Sequence, residues 1–94
     1  MDLTADEITS DEVTISWKPP NYFEVEFYHV QRSSGSSVKW KNIKRIDGDR
    51  NSATLDNLEP DTKYLIRIQS ENKFGVGKKM SKFLQVETKG NVLY

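Results

Sequence analysis

The chain has 94 residues, 35% hydrophobic and 30% charged, enough for one domain with one core and too few for two. It has no cysteine, which excludes disulfide staples, zinc–thiolate sites and thiol catalysis, and no apolar run nears the ~20 residues of a membrane-spanning helix. Net charge is zero but unevenly spread: residues 1–31 carry seven acids against Lys18 alone, a net of −6, and residues 32–94 balance this with +6.

Taken in chain order, nearly every segment shows a period of two. "LTADEI" is the first predicted strand. Val13, Ile15 and Trp17 then alternate with Thr14, Ser16 and Lys18 until Pro19-Pro20 closes the strand. A third strand spans roughly 24–34, with Tyr28 and Val30 opposite His29 and Gln31, and ends in the turn "SSGSS". "VKWKNIKRI" is a strand interleaved with lysines. "DGD" at 47–49 is a turn in which Gly48 is free to take positive φ, and "SATL" is a short strand. "KYLIRIQSEN" places Tyr64, Ile66 and Ile68 on one side, and "KFLQVETK" closes the series with Leu84 and Val86 facing one way. No window carries a helical stripe, and no segment is long enough for a parallel crossover. The pattern predicts an all-β, antiparallel chain of seven strands, a β-sandwich or a small barrel. Its expected core is Val13, Ile15, Trp17, Tyr28, Val30, Leu55, Leu58, Tyr64, Ile66, Ile68, Leu84 and Val86.

Six fragments in order resemble a fibronectin type III domain: "VTISWKPP" with its core Trp17, "YHVQR", Trp40, "LEPDTKY", "SENKFGVGKKMS" with Asn72, Gly75, Gly77 and Ser81, and "VET". The resemblance covers nearly the whole chain and implies a seven-stranded antiparallel β-sandwich, immunoglobulin-like, as one domain over 1–89, with 90–94 a linker or the start of a next domain. The lack of cysteine is unlike a true immunoglobulin domain. The resemblance also implies a role for Tyr64, at first sight odd beside a turn. Its hydroxyl reaches back across the corner to the Glu59–Pro60 backbone while its ring packs over Leu58. Pro60 fixes φ, and Thr62 bonds local backbone.

Chemistry-bearing motifs are sparse. His29, the single histidine, is expected on the solvated side of its strand with no nucleophile or acid converging on it. Asp47 and Asp49 lack the ligand spacing of a calcium loop, and "FGVG" lacks the lysine and following helix of a phosphate loop. No catalytic residue, cofactor or metal is implied, nucleic acid is not expected, and the reading is a non-enzyme.

Two surfaces stand out for binding. Lys39, Lys41, Lys44 and Arg45, with Lys73, Lys78, Lys79 and Lys82, are expected to share one face of a sheet, as a weak site for a sulfated glycan or an acidic protein. Phe74 is expected at the tip of the F–G loop, placed to anchor a protein partner. There is no Arg-Gly-Asp, no Asn-x-Ser/Thr sequon and no Trp-Ser-x-Trp-Ser.

The resemblance implies a spacer and protein-interaction module of a multidomain cell-adhesion or receptor protein of the immunoglobulin superfamily, extracellular, with no membrane contact in this segment. An intracellular repeat of a cytoskeletal or muscle scaffold is the alternative. The isolated domain is expected to be a monomer, although the opposite charges of its two parts offer a route to self-association.

Overall fold

The computed structural model describes residues 2–19, 25–34, 39–72 and 75–90, the side chains of 75–79 excepted. Its strands are β1 (Leu3–Ile8), β2 (Val13–Trp17), β3 (Phe27–Ser34), β4 (Lys41–Asp47), β5 (Ser52–Leu55), β6 (Lys63–Asn72), β7 (Gly75–Met80) and β8 (Leu84–Glu87). All pairings are antiparallel. The smaller sheet has the order β1-β2-β5. The larger runs β4-β3-β6-β7, with β8 also on β6. β7 and β8 are therefore two halves of one edge strand, and the architecture is the expected seven-stranded sandwich.

Alternation builds the core. Val13, Ile15, Trp17, Ala53 and Leu55 come from one sheet, and Tyr28, Val30, Ile46, Tyr64, Ile66, Ile68 and Val86 from the other, with Leu58 closing the corner. Ile46 and Ala53 join the expected set, while Leu84 is only partly buried. Trp17 and Tyr28 meet edge to face with ring centroids 5.1 Å apart. Burial raises the Tyr28 phenol pKa above 10.0, and the nearby Trp17 indole offsets part of that rise. Their approach is too poor in geometry for a hydrogen bond, so neither Tyr28 Oη nor Trp17 Nε1 has a partner among the described residues.

The raised value has a consequence at high pH. An unfolded tyrosine ionises near 10 while the folded one stays protonated. The stability present below that pH is therefore lost as pH rises through the folded value. Urea midpoints should fall more steeply between pH 10 and 11 for the native chain than for Tyr28→Phe. Parallel slopes would remove this account.

The corner before β6 is built as the sequence implies. The Glu59 amide donates to Tyr64 Oη at 2.8 Å, and Thr62 Oγ1 donates to the Pro60 carbonyl at 2.9 Å. Asp61 takes φ 51°, as a tight turn needs. Buried Thr88 ties the corner down, its hydroxyl donating to the Glu59 carbonyl at 2.6 Å and accepting from the Thr62 amide at 3.0 Å. Tyr64→Phe removes the acceptor for Glu59 N–H and should cost about 1–2 kcal/mol. Chemical denaturation measures this directly, and a loss below 0.3 kcal/mol, roughly a third of an ordinary hydrogen bond, would contradict it.

Two local features differ from expectation. "GVGKKM" is a strand, not loop: its Gly75 pairs with Asn72 at the end of β6. Gly48 has no left-handed φ. Instead, its amide donates to the Glu26 carbonyl at 2.8 Å, and a Cβ there would run into the Val25 carbonyl oxygen. Close approach, not backbone freedom, fixes this glycine.

The chain enters and leaves at opposite ends of the sandwich. Lys18 N–H donates to the Asp2 carbonyl at one end of β1, and Lys89 N–H to the Thr9 carbonyl at the other. Seven residue steps of extended chain separate Asp2 from Thr9, about 23 Å.

Candidate interaction surface

The two outward faces differ in kind. On the smaller sheet, hydroxyls satisfy one another: Thr4 with Ser16 and Thr14 with Thr54, each at 3.1 Å, and Ser16 donates to Asp6 Oδ1 at 3.1 Å. The larger sheet presents arginine and aromatic side chains. Register places Phe27, His29 and Gln31 of β3 beside Glu71, Gln69 and Arg67 of β6, and beside Asp47, Arg45 and Asn42 of β4. These positions alternate with the buried Tyr28 and Val30, so their side chains point to solvent.

Arg67 is the centre of the array. Its guanidinium lies 4.1 Å from the Trp40 ring centroid, and its Nε donates to Gln31 Oε1 at 2.6 Å. Gln31 Nε2 in turn donates to Asn42 Oδ1 at 2.9 Å. Trp40 also meets Phe83, centroids 5.2 Å apart. Farther along the face, Arg45 stacks on Phe27 with 3.6 Å between guanidinium carbon and ring centroid. Such stacking fixes the orientation of each cation while leaving its N–H edge available.

A bulge explains Phe83. Gln69 pairs with Met80 and Ile66 with Leu84, so Ile68 and Arg67 face three residues, Ser81, Lys82 and Phe83. Ser81 fills the rung: its amide donates to the Ile68 carbonyl, and its buried hydroxyl accepts from the Ile68 amide, both at 2.8 Å. The surplus residue leaves Phe83 64% exposed beside Trp40, and Met80 is 43% exposed on the same outward side as Gln69.

The expected lysine face is divided. Arg45 pairs with His29 and faces outward, but Lys44 pairs with Val30 and Lys41 with Arg32, on the inward side of the edge strand. Lys44 Nζ instead donates to the Thr54 carbonyl at 2.8 Å, joining the edges of the two sheets. Alternation alone separates Lys44 from Arg45, and the bulge at Ile43 shifts Lys41 as well. Lys39 and Lys82 are exposed next to Trp40 and Phe83. Lys73 and Phe74 lie outside the described residues, as do the side chains of Lys78 and Lys79. His29 faces outward as expected but is not freely solvated. Its side chain is 20% exposed, with Nε2 3.5 Å from Glu71 Oε2.

Asp47 and Asn51 frame a turn, with the Arg50 amide donating to the Asp47 carbonyl at 3.0 Å. Among the described residues no group of three acidic, histidine or cysteine side chains gathers as for a metal, and no helix is long and apolar enough to cross a membrane.

Two antiparallel sheets, a Trp17 core and the Tyr64 corner define an architecture with a known sequence profile. The profile of the fibronectin type III domain matches residues 1–87. The chain belongs to the fibronectin type III family. This type III domain is 33% identical over 81 residues to contactin-5 of Gallus gallus, covering 80% of this chain and 8% of that protein. It is 32% identical over 78 residues to titin of Drosophila melanogaster, covering 80% of this chain and 0% of that protein to the nearest percent. The chain thus spans a small fraction of the curated relatives it matches. Among solved structures, a type III domain of human contactin 1 superposes with a TM-score of 0.83 at 24% identity, over 96% of this chain and 76% of that one. The twitchin kinase region of C. elegans gives 0.83 at 24% identity, over 95% and 16%. These likenesses show the fold. Domains of this family are generally non-catalytic structural modules.

Proposed function

We propose that this type III domain is a stiff spacer and protein-binding module of a larger cell-surface adhesion or receptor protein, acting outside the cell through the outward face of its larger sheet. The observation that carries the binding role is the contrast between the two faces. One is a ladder of mutually satisfied hydroxyls. The other holds Arg67, Trp40, Phe83 and Arg45, the residue types that dominate protein interfaces. The spacer role follows from entry and exit at opposite ends of β1, a geometry that lets modules follow one another in line. Kinship with contactins supports the extracellular reading.

A photo-cross-linking side chain in place of Phe83, and in a second protein in place of Thr54, tests the binding role on cells expressing the parent chain. Cross-links to another protein from position 83 but not from position 54 are expected. Equal yields from both, or none from 83, would overturn it.

A further inference from the structure

We infer that the outward face of the larger sheet receives an extended acidic segment of a partner protein, two of whose carboxylates, four residues apart, pair with Arg67 and Arg45. This rests on the protein-binding reading of that face and adds the chemistry of what binds there.

Charge and geometry carry it. Among the described residues neither Arg45 nor Arg67 has a carboxylate partner, and Glu71 lies against His29 instead. Each guanidinium is nonetheless held in place, Arg45 by Phe27 and Arg67 by Trp40 and Gln31. A cation that is ordered and not neutralised loses little freedom when an anion arrives.

Spacing then selects the ligand. The Arg45 guanidinium lies over Phe27 and the Arg67 guanidinium against Gln31, four residues farther along β3. Four residues of extended strand span about 13 Å. Positions i and i+4 of an extended chain share a side and stand about 13 Å apart.

The surroundings give the segment a direction. Beyond Arg67 lie Trp40 and exposed Phe83, which suit an apolar side chain. At the other end of the face, Asp47 and Glu71 flank Phe27 in register and suit a basic one. The pattern is apolar-x-acid-x-x-x-acid-x-basic. With Lys41 and Lys44 on the other side of β4, the cations held in place on this face are two arginines, with Lys39 and Lys82 exposed at the Trp40–Phe83 end, which favours spaced carboxylates over a uniformly sulfated chain.

The probe is acetyl-Leu-Ser-Glu-Thr-Ser-Thr-Glu-Ser-Lys-amide, titrated into the domain at 150 mM salt and followed by NMR. Shifts are expected at the side-chain Nε–H groups of Arg45 and Arg67 and at the Trp40 indole, saturating with a Kd below about 1 mM. The same peptide with glutamine for both glutamates should bind at least about fivefold more weakly, as should the native peptide to the R45S/R67S double variant. Equal binding of the glutamine peptide, or no shifts on this face at 5 mM (about five times the expected Kd), overturns the inference. So does a heparin octasaccharide that shifts the same residues at lower concentration. If the peptide fails while cross-links from position 83 persist, the acidic segment falls and the protein-binding reading stands. Loss of those cross-links removes both.

Discussion

Replacing Trp17 with alanine is expected to lower stability by about 3–5 kcal/mol, as for other large aromatic truncations in closed cores. The indole is 3% exposed, sits on β2 with Val13 and Ile15, and faces Tyr28 across the gap between sheets. Its loss opens a cavity at the place where the two sheets meet and removes the edge-to-face partner of a fully buried ring. Small domains have about 5–15 kcal/mol in total, so the variant should unfold at low urea or not hold a native fold at 37 °C. A loss under 1 kcal/mol, well below the range for such truncations, would mean that the core closes without this residue.

Gly48→Ala is the second large effect, at about 3 kcal/mol, the upper end of overpacking costs. The added methyl meets the Val25 carbonyl, which is main chain and has no rotamer to yield. Relief requires the β4–β5 turn to move away from Glu26, breaking the hydrogen bond from the Gly48 amide at 2.8 Å. Urea denaturation should show a lower midpoint with an unchanged m-value. A midpoint matching the native chain would mean that the turn takes the methyl without losing that hydrogen bond.

How far the sequence reveals these features depends on how local their causes are. The strands β2, β3 and β6 are legible because alternation is the direct consequence of burying one face of a pleated strand. Tyr64 is legible because a type III corner has one use for a tyrosine there, and Glu59 N–H supplies it. The β6–β7 hairpin reads as loop since its glycines mimic turn chemistry, although register across the sheet makes them strand. Gly48 is recognisable as a turn glycine, but its reason, the approach of residue 25 from another segment, is tertiary and leaves no mark in its own neighbourhood.

The candidate surface is harder still. A period of two already puts Lys44 and Arg45 on opposite sides of β4, so a common lysine face fails on local grounds. By contrast, the bulge at Ile43 that turns Lys41, and the extra residue that turns out Phe83, are set by pairing with other strands. Arg67 could be placed outward from its alternation with Ile66 and Ile68. Its stacking on Trp40 joins residues 27 positions apart and has no sequence signal. Aromatic and cationic residues scattered over β3, β4, β6 and the bulge become one surface only when the larger sheet assembles.

That surface either binds a partner or merely braces the sheet. The deciding measurement is the yield of protein cross-linked from a photoreactive side chain at Met80, compared between the native face and the Arg67→Ser/Phe83→Ser variant at equal folded fraction. Binding through this face predicts a fall of at least about tenfold, consistent with the loss of two interface anchors. An unchanged yield from a correctly folded variant would contradict it.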